Sequence, residues 1–248
     1  MQPKATLEDT LTLMRDLRRR CEWDAAQTHE SLRPYLVEEA HELDEALRDS
    51  DVAKMREELG DVLLQVLFHS VIAEERGEFD AGDVARGLIT KMQERHPHLY
   101  GDGERVPWEQ MKAKQRTSIE AGLPDGLPSL HRAHRLQDRA AGVGFDWEDV
   151  RGPLEKVKEE VREVEVWVET PGEKDALEAE LGDLLFAVVN LCRKADVHAS
   201  LALDKANAKF VRRFAGIERL AAARGIDVAT AGLTVLDQLW DEVKAGER

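Results

Sequence analysis

Cysteine is almost missing from this sequence: the 248 residues contain two, Cys21 and Cys192, in no metal-like spacing. That excludes a disulfide framework and a cysteine-rich zinc module, and the expected setting is reduced and cytoplasmic. Glycine (17) and proline (8) are sparse and aromatic residues make up only 5%, which argues against an all-β fold and against disorder. No apolar run is long enough for a membrane; the longest, around "LLFAVVNLC", is about half a span. The opening "MQPKATLEDT" lacks the apolar core of a secretory signal. Positive charge is in deficit, with 35 Lys and Arg against 50 Asp and Glu and a net charge of −15. An acidic surface repels phosphates, so neither nucleic acid nor a membrane is an expected partner. Any phosphate-bearing ligand must meet a bound cation or a local basic cluster.

What is present reads as helix. Hydrophobic residues make up 42% and charged residues 34%, a mixture suited to a helical protein with a buried core. Leu59, Val62, Leu63, Val66 and Leu67 recur at helix spacing, and Leu181, Leu184, Leu185, Val188 and Val189 repeat the pattern. The short "VEVWV" (Val164–Val168) resembles a strand, but it continues "LEKVKEEVREVEVW" and is read as helix. The breaker cluster "AGLPDGLPSL" (Ala121–Leu130) divides the chain. The expected organisation is a first domain at 1–121, a linker at 122–129 and a second domain at 130–248.

The two halves repeat each other. "LVEEAHELDEAL" (Leu36–Leu47) matches "VKEEVREVEVWV" (Val157–Val168), which places Glu38, Glu39 and Glu42 over Glu159, Glu160 and Glu163. "MREELGDVLLQVL" matches "LEAELGDLLFAVV", placing Glu58 and Asp61 over Glu180 and Asp183. Lys91-x-x-x-Arg95 overlies Lys209-x-x-x-Arg213, and "WEQMKA" at Trp108 overlies "WDEVKA" at Trp240. Four blocks in the same order indicate an internal duplication.

The spacing of the acids around each break is informative. Glu42 lies eight residues before Ser50 and Glu58 eight after; Glu163 lies eight before Pro171 and Glu180 eight after Gly172. If each half folds as an antiparallel helical hairpin, both members of each pair sit roughly 12 Å from the turn, at about 1.5 Å per residue. Residues three apart share a helix face, so Glu58 projects with Asp61, and Glu180 with Asp183. Converging carboxylates raise one another's pKa unless a cation compensates them. An oxygen-only set without His or Cys favours Mg²⁺, with Mn²⁺ as substitute, over Zn²⁺. The plainer alternative is a set of solvated acids paired with nearby Lys and Arg. Lys209 with Arg213, and Lys91 with Arg95, could grip phosphate oxygens, or simply be exposed helix cations. Trp240 and Trp108 could stack on a base, or belong to the core. Lys156, one turn before Glu160, has Tyr35 as its counterpart.

"EEAHE…EELGDVLLQV", "EEVRE…AELGDLLFAVVN" and "KANAKFVRRF" resemble the MazG nucleoside triphosphate pyrophosphohydrolases. "CEWDAAQTHESLRPYLVEEAHEL" and "RHPHLYG" look like that family's amino-terminal half, and "GVGFDW" like the start of its second half. Glu22 departs from the proline common at that place. The resemblance implies an all-α fold of two tandem helical-hairpin or four-helix-bundle domains that dimerise, here a homodimer. It implies Mg²⁺-dependent hydrolysis of nucleoside triphosphates to monophosphate and pyrophosphate, mainly in the carboxy-terminal domain. Glu160, Glu163, Glu180 and Asp183 would then hold the metal, and Lys156, Lys209, Arg213 and Trp240 would contact the nucleotide. Glu39, Glu42, Glu58 and Asp61 form the matching amino-terminal set, with Lys91, Arg95 and Trp108 beside it.

The expected reaction is attack of water at the α-phosphorus with pyrophosphate leaving, and Glu159 accepting the proton next to Glu160 and Glu163. The rival readings are a related enzyme acting on phosphoribosyl-ATP or dUTP, and a non-catalytic helical scaffold. A zinc site from His96, His98, His131 and His134 is a weaker idea, because His96 and His98 straddle Pro97.

Overall fold

The computed structural model describes residues 5–105, 109, 112, 116–168 and 174–247. Among the described residues there are eleven helices and no strand. They fall into two compact units, Met1–Arg105 and Val106–Arg248. This division comes ahead of the breaker cluster at Ala121–Leu130.

The first unit contains α1 (Leu7–Arg20), α2 (Glu22–Ala26), α3 (His29–Asp49), α4 (Val52–Glu75), α5 (Ala81–Glu94) and α6 (Pro97–Tyr100). Capping boxes start three of them: Thr6 with Asp9 at α1, Thr28 with Ser31 at α3, and Asp80 with Asp83 at α5. α3 and α4 form an antiparallel hairpin with a very short turn. Ser50 adopts the left-handed conformation (φ 56°), and the Asp51 N–H donates to the Ala46 carbonyl at 3.2 Å, closing α3. The Asp51 carboxylate then accepts from the Ala53 and Lys54 N–H groups at 3.0 and 3.1 Å and starts α4. Below this turn, Leu11 and Met14 of α1, Leu32 of α3, and Phe68, Val71 and Ile72 of α4 make the core. Arg18 fastens α1 to its surroundings, donating to the Ala25 and Gln27 carbonyls (3.1 and 3.0 Å) and pairing with Glu75.

The second unit contains α7 (Ser129–Gly142), α8 (Arg151–Val168), α9 (Lys174–Lys194), α10 (Ala199–Ala223) and α11 (Gly232–Ala245). The "VEVWV" segment is the end of α8, as its continuity with the preceding acids requires. α8 packs along α9, repeating the α3–α4 hairpin; its turn, with Pro171 and Gly172, lies outside the described residues. The "GVGFDW" stretch before α8 is an anchor. Asp146 accepts from Arg193 and from Lys194 Nζ (3.0 Å) at the end of α9. Trp147 lies on α8 so closely that a Cβ at Gly152 would meet its ring at 2.5 Å. α7 reaches α9 through Gln137 Nε2, which donates to the Phe186 carbonyl at 2.8 Å. Ile217, Ala221 and Leu239 form a second core between α10 and α11. Gly216 allows that crossing, since a Cβ there would meet Val243 at 2.8 Å.

The apolar stripes are only partly covered. Val189 and Phe68 are buried, but Leu59 is 55% and Leu185 59% exposed. A lone hairpin covers one flank of a wide apolar face and leaves the other exposed. The core arrangement makes a stability prediction. Ile72→Ala should cost about 2–5 kcal/mol, from lost transfer energy and a cavity. Asp51→Ala, which removes one cap, should cost about 1 kcal/mol. Urea unfolding checks both; a loss at Ile72 no larger than that at Asp51 would contradict this packing.

Candidate metal and phosphate site

Each hairpin brings three carboxylates together. Glu39 of α3 meets Glu58 and Asp61 of α4, with one oxygen from each lying within 4.8 Å of the others. Glu160 of α8 meets Glu180 and Asp183 of α9 in the same manner. The geometry follows from the antiparallel register. Glu39 lies eleven residues before Ser50 and Asp61 eleven after, so they stand level, one turn below the level of Glu42 and Glu58. Glu42 and Glu163 flank these triads. Glu42 is exposed, and its charge acts on both Glu39 and Glu58; Glu163 is hydrogen-bonded to Glu160 and is close enough to Glu180 to feel its charge.

Burial concentrates the effect. Glu58 is 6% exposed and Glu160 4%. Burial, and then the charge of Glu42, raise Glu58 above the usual carboxylate range. Burial, and then Asp61, Glu42 and Glu58, raise Glu39. Glu163 is exposed, but local loss of hydration, and then the charge of Glu160, raise it. Carboxylates driven toward protonation by their neighbours are short of positive charge. A six-coordinate cation with bonds of about 2.1 Å sets opposite oxygens about 4.2 Å apart, close to the spacing found here. The donors are all oxygens. The residues therefore fit a hard divalent cation, and Glu39, Glu58 and Asp61, or Glu160, Glu180 and Asp183, would hold it.

The two sites differ in their lysine. Lys156 Nζ lies 2.7 Å from Glu160 and 2.9 Å from Glu159, and those two carboxylates raise its pKa, Glu159 first. At the corresponding place in the first unit Tyr35 meets Trp23 edge-on at 6.4 Å. A lysine missed in the sequence reading, Lys54, compensates from α4, the second helix of the hairpin and the one that carries Glu58. It pairs with Glu45 at 3.2 Å, and its charge counteracts the upward push on Glu58. Its position one turn before Glu58 is the signal that could have revealed it. Among the described residues no cation makes an ion pair with Glu58 itself, whereas Glu160 has Lys156.

The remaining basic and aromatic positions are placed as follows. Lys209 is exposed on α10. Arg213, one turn on, donates to Glu247 at 2.9 and 2.7 Å and lies 5.5 Å from the Trp240 ring. Trp240 is half-buried against the α10–α11 core and 5.6 Å from Phe210. Lys91 is exposed in the last turn of α5, and Arg95 is the residue that caps that helix. The matched pairs thus occupy different places, one mid-helix and one at a helix end. Trp108 lies outside the described residues. His96 and His98 contact each other in the first unit at 5.8 Å. His131 and His134 meet a third imidazole, His198, in the second unit, at 5.2 and 4.7 Å.

Two acid-lined helical hairpins, each with a carboxylate triad fit for a divalent cation, define an all-α protein of tandem helical domains. Known proteins resemble this sequence. The MazG nucleotide pyrophosphohydrolase domain matches residues 27–100 and 152–216, one segment per hairpin. The nucleoside triphosphate pyrophosphohydrolase/pyrophosphatase MazG of Thermotoga maritima is 44% identical over 249 residues, covering 97% of this chain and 96% of its own. The Escherichia coli K12 nucleoside triphosphate pyrophosphohydrolase is 38% identical, covering 97% and 98%. An uncharacterized Bacillus subtilis protein, YabN, is 43% identical over 96% of this chain and 51% of its own length. The chain belongs to the MazG family.

The raised carboxylates link stability to pH. The folded state keeps Glu39, Glu58 and Glu163 protonated to higher pH than the unfolded chain does. It therefore binds more protons above their ordinary value of 4.5, and stability falls as pH rises through their folded values. In a chelator, Glu58→Gln should melt higher than the unaltered chain at pH 7, and this advantage should vanish at pH 4. Saturating Mg²⁺ should shrink or reverse the difference. A variant that melts no higher than the parent in chelator at pH 7 would refute the repulsion account.

Proposed function

We propose that the chain hydrolyses nucleoside triphosphates to nucleoside monophosphate and pyrophosphate with Mg²⁺, for which Mn²⁺ can substitute, and does so mainly in its second unit. The convergence of Glu160, Glu180 and Asp183 within 4.8 Å, in a chain of this family, carries the reading. The names of the Thermotoga and Escherichia coli relatives support the substrate class. Lys156 beside Glu160, in place of an aromatic ring, favours the second unit.

A bound Mg²⁺ would polarise the phosphoryl oxygens and lower the pKa of water. The chain's own residues do the rest. Glu160, Glu180 and Asp183 supply the oxygens, and Glu163 holds Glu160 through their hydrogen bond. Glu159, exposed one residue away, accepts the proton of the water whose oxygen bonds to the α-phosphorus. The α–β bridging oxygen leaves with pyrophosphate. Were a divalent cation to hold the Glu160 carboxylate, Lys156 would be free to turn to the phosphates together with Lys209. Arg213 and Trp240, packed on each other, hold the helix that carries Lys209 and offer the nucleotide a guanidinium and an indole. Glu39, Glu42, Glu58 and Asp61, with Lys91 and Arg95, form a second site of the same type in the first unit, with lower activity. We further propose a homodimer located in the cytoplasm, with neither nucleic acid nor a membrane as partner; no described helix is long and apolar enough to cross a membrane. The second copy covers the open flanks of the hairpins, where Leu59, Val66, Leu181 and Leu185 are exposed.

Glu180→Gln should lower pyrophosphate release from nucleoside triphosphates by on the order of 100- to 1000-fold, as loss of a charge-stabilising group does. Glu58→Gln should lower it less than about tenfold by the same measure. Undiminished turnover in Glu180→Gln would remove the second unit from the mechanism. A panel that includes dUTP and phosphoribosyl-ATP fixes the substrate, and the absence of product from every nucleotide would leave a scaffold. Light scattering should give twice the 27.9 kDa of one chain; a monomer mass would exclude the homodimer.

A further inference from the structure

The second unit contains a cavity that shares no residue with the carboxylate triad. It measures about 210 Å³ and is lined by Arg116, Thr117, Ser118, Ile119, Arg139 and Val143. Pockets for drug-sized ligands begin at roughly 300 Å³, so this one suits a small ion.

Its walls hold positive charge that the protein leaves partly unanswered. Arg139, on α7, is 6% exposed. Its Nη1 donates to the Ile119 and Ala121 carbonyls at 2.7 and 3.1 Å, but its buried Nε–H has no acceptor. Arg116 Nη1 donates to Glu109 at 2.8 Å, while its Nη2, also buried, has none. Glu109 is shared with Arg135 at 2.8 Å, and Arg135 also engages Asp138 at 2.9 Å. Three guanidiniums therefore stand against two carboxylates, and among the described residues Arg139 forms an ion pair with neither. Burial, and then Arg116 and Arg135, depress its pKa, with only Glu109 opposing. Buried charges in proteins are paired and buried donors are bonded. In a chain of net charge −15, an unanswered buried cation calls for a ligand of opposite sign.

The geometry points to a binding site for a small tetrahedral oxyanion of phosphate chemistry, held by Arg139 Nε–H and Arg116 Nη2 with the Thr117 and Ser118 hydroxyls in its wall. A guanidinium presents its N–H groups in the fork that phosphate oxygens match. The Ser118 hydroxyl accepts from the Ala121 N–H at 3.1 Å and still has its own hydrogen to donate. Bound there, the ion joins the 116–121 segment to α7. Inorganic phosphate and pyrophosphate carry this chemistry, and so does the phosphate of a nucleotide; the size of the cavity selects the inorganic ion.

The test is thermal melting of the full chain in EDTA, so that the triads hold no divalent cation, at matched ionic strength. About 10 mM phosphate should raise the melting temperature over chloride by about 3 °C or more. Arg116→Gln and Arg139→Gln should lose that increment, and Glu180→Gln should keep it. General salting effects of phosphate survive these substitutions, whereas the increment from a bound ion does not. If Arg139→Gln does not fold, Arg116→Gln decides. Equal melting in phosphate and chloride, or an increment undiminished in Arg116→Gln, would overturn the site. A larger increment with AMP than with phosphate would overturn the inorganic assignment.

Discussion

Like charges forced together between antiparallel helices are the constraint on which the rest of this protein depends. Three carboxylates within 4.8 Å, one of them buried, are unfavourable when all are ionised. The hairpin makes the contact unavoidable, because the short turn at Ser50 and Asp51 fixes the register of α3 against α4. The stability of the helices is thereby spent on holding acids in place, and a divalent cation is the species that relieves the strain.

The two units meet this constraint with the same parts in different places. In the second, Lys156 leans directly on the buried Glu160 from the same helix. In the first, Lys54 stands one turn before the buried Glu58 on the same helix, but it is engaged by Glu45 of α3 and reaches Glu58 only through its field. A direct ion pair neutralises more charge than a distant one, and an internal lysine can also exchange its partner for a phosphate. The two triads therefore differ in how directly a lysine answers their buried acid.

Packing imposes the next demand. α4 and α9 need apolar faces wide enough to bury a core on one flank, as Phe68 and Val189 do. The width leaves Leu59 and Leu185 uncovered. The α10–α11 pair solves its own packing locally, with Gly216 admitting Val243 and Trp240 lying against the core. Arginine serves a different purpose in each unit. Arg18 ties loop carbonyls to α4, whereas Arg139 ties the carbonyls of the 119–121 segment and keeps an unused N–H.

Periodicity and spacing by themselves determined that the chain is helical, that its halves resemble each other, and which acids share a helix face. Helix geometry makes residues three and four apart neighbours, so Glu58 with Asp61 and Glu180 with Asp183 were legible from their positions alone. Equal counts on either side of a turn put their partners at the same height. What lay beyond that reading depended on contacts between residues remote in sequence. Glu39 and Glu160, not Glu42 and Glu163, close the triads, because helix rotation about the hairpin axis decides which level points inward. Arg213 turned to Glu247, and His131 and His134 turned to His198, through helices that only folding brings together. A local pattern fixes which face of a helix a side chain occupies; the partner it finds there is set by tertiary packing, which no single helix encodes.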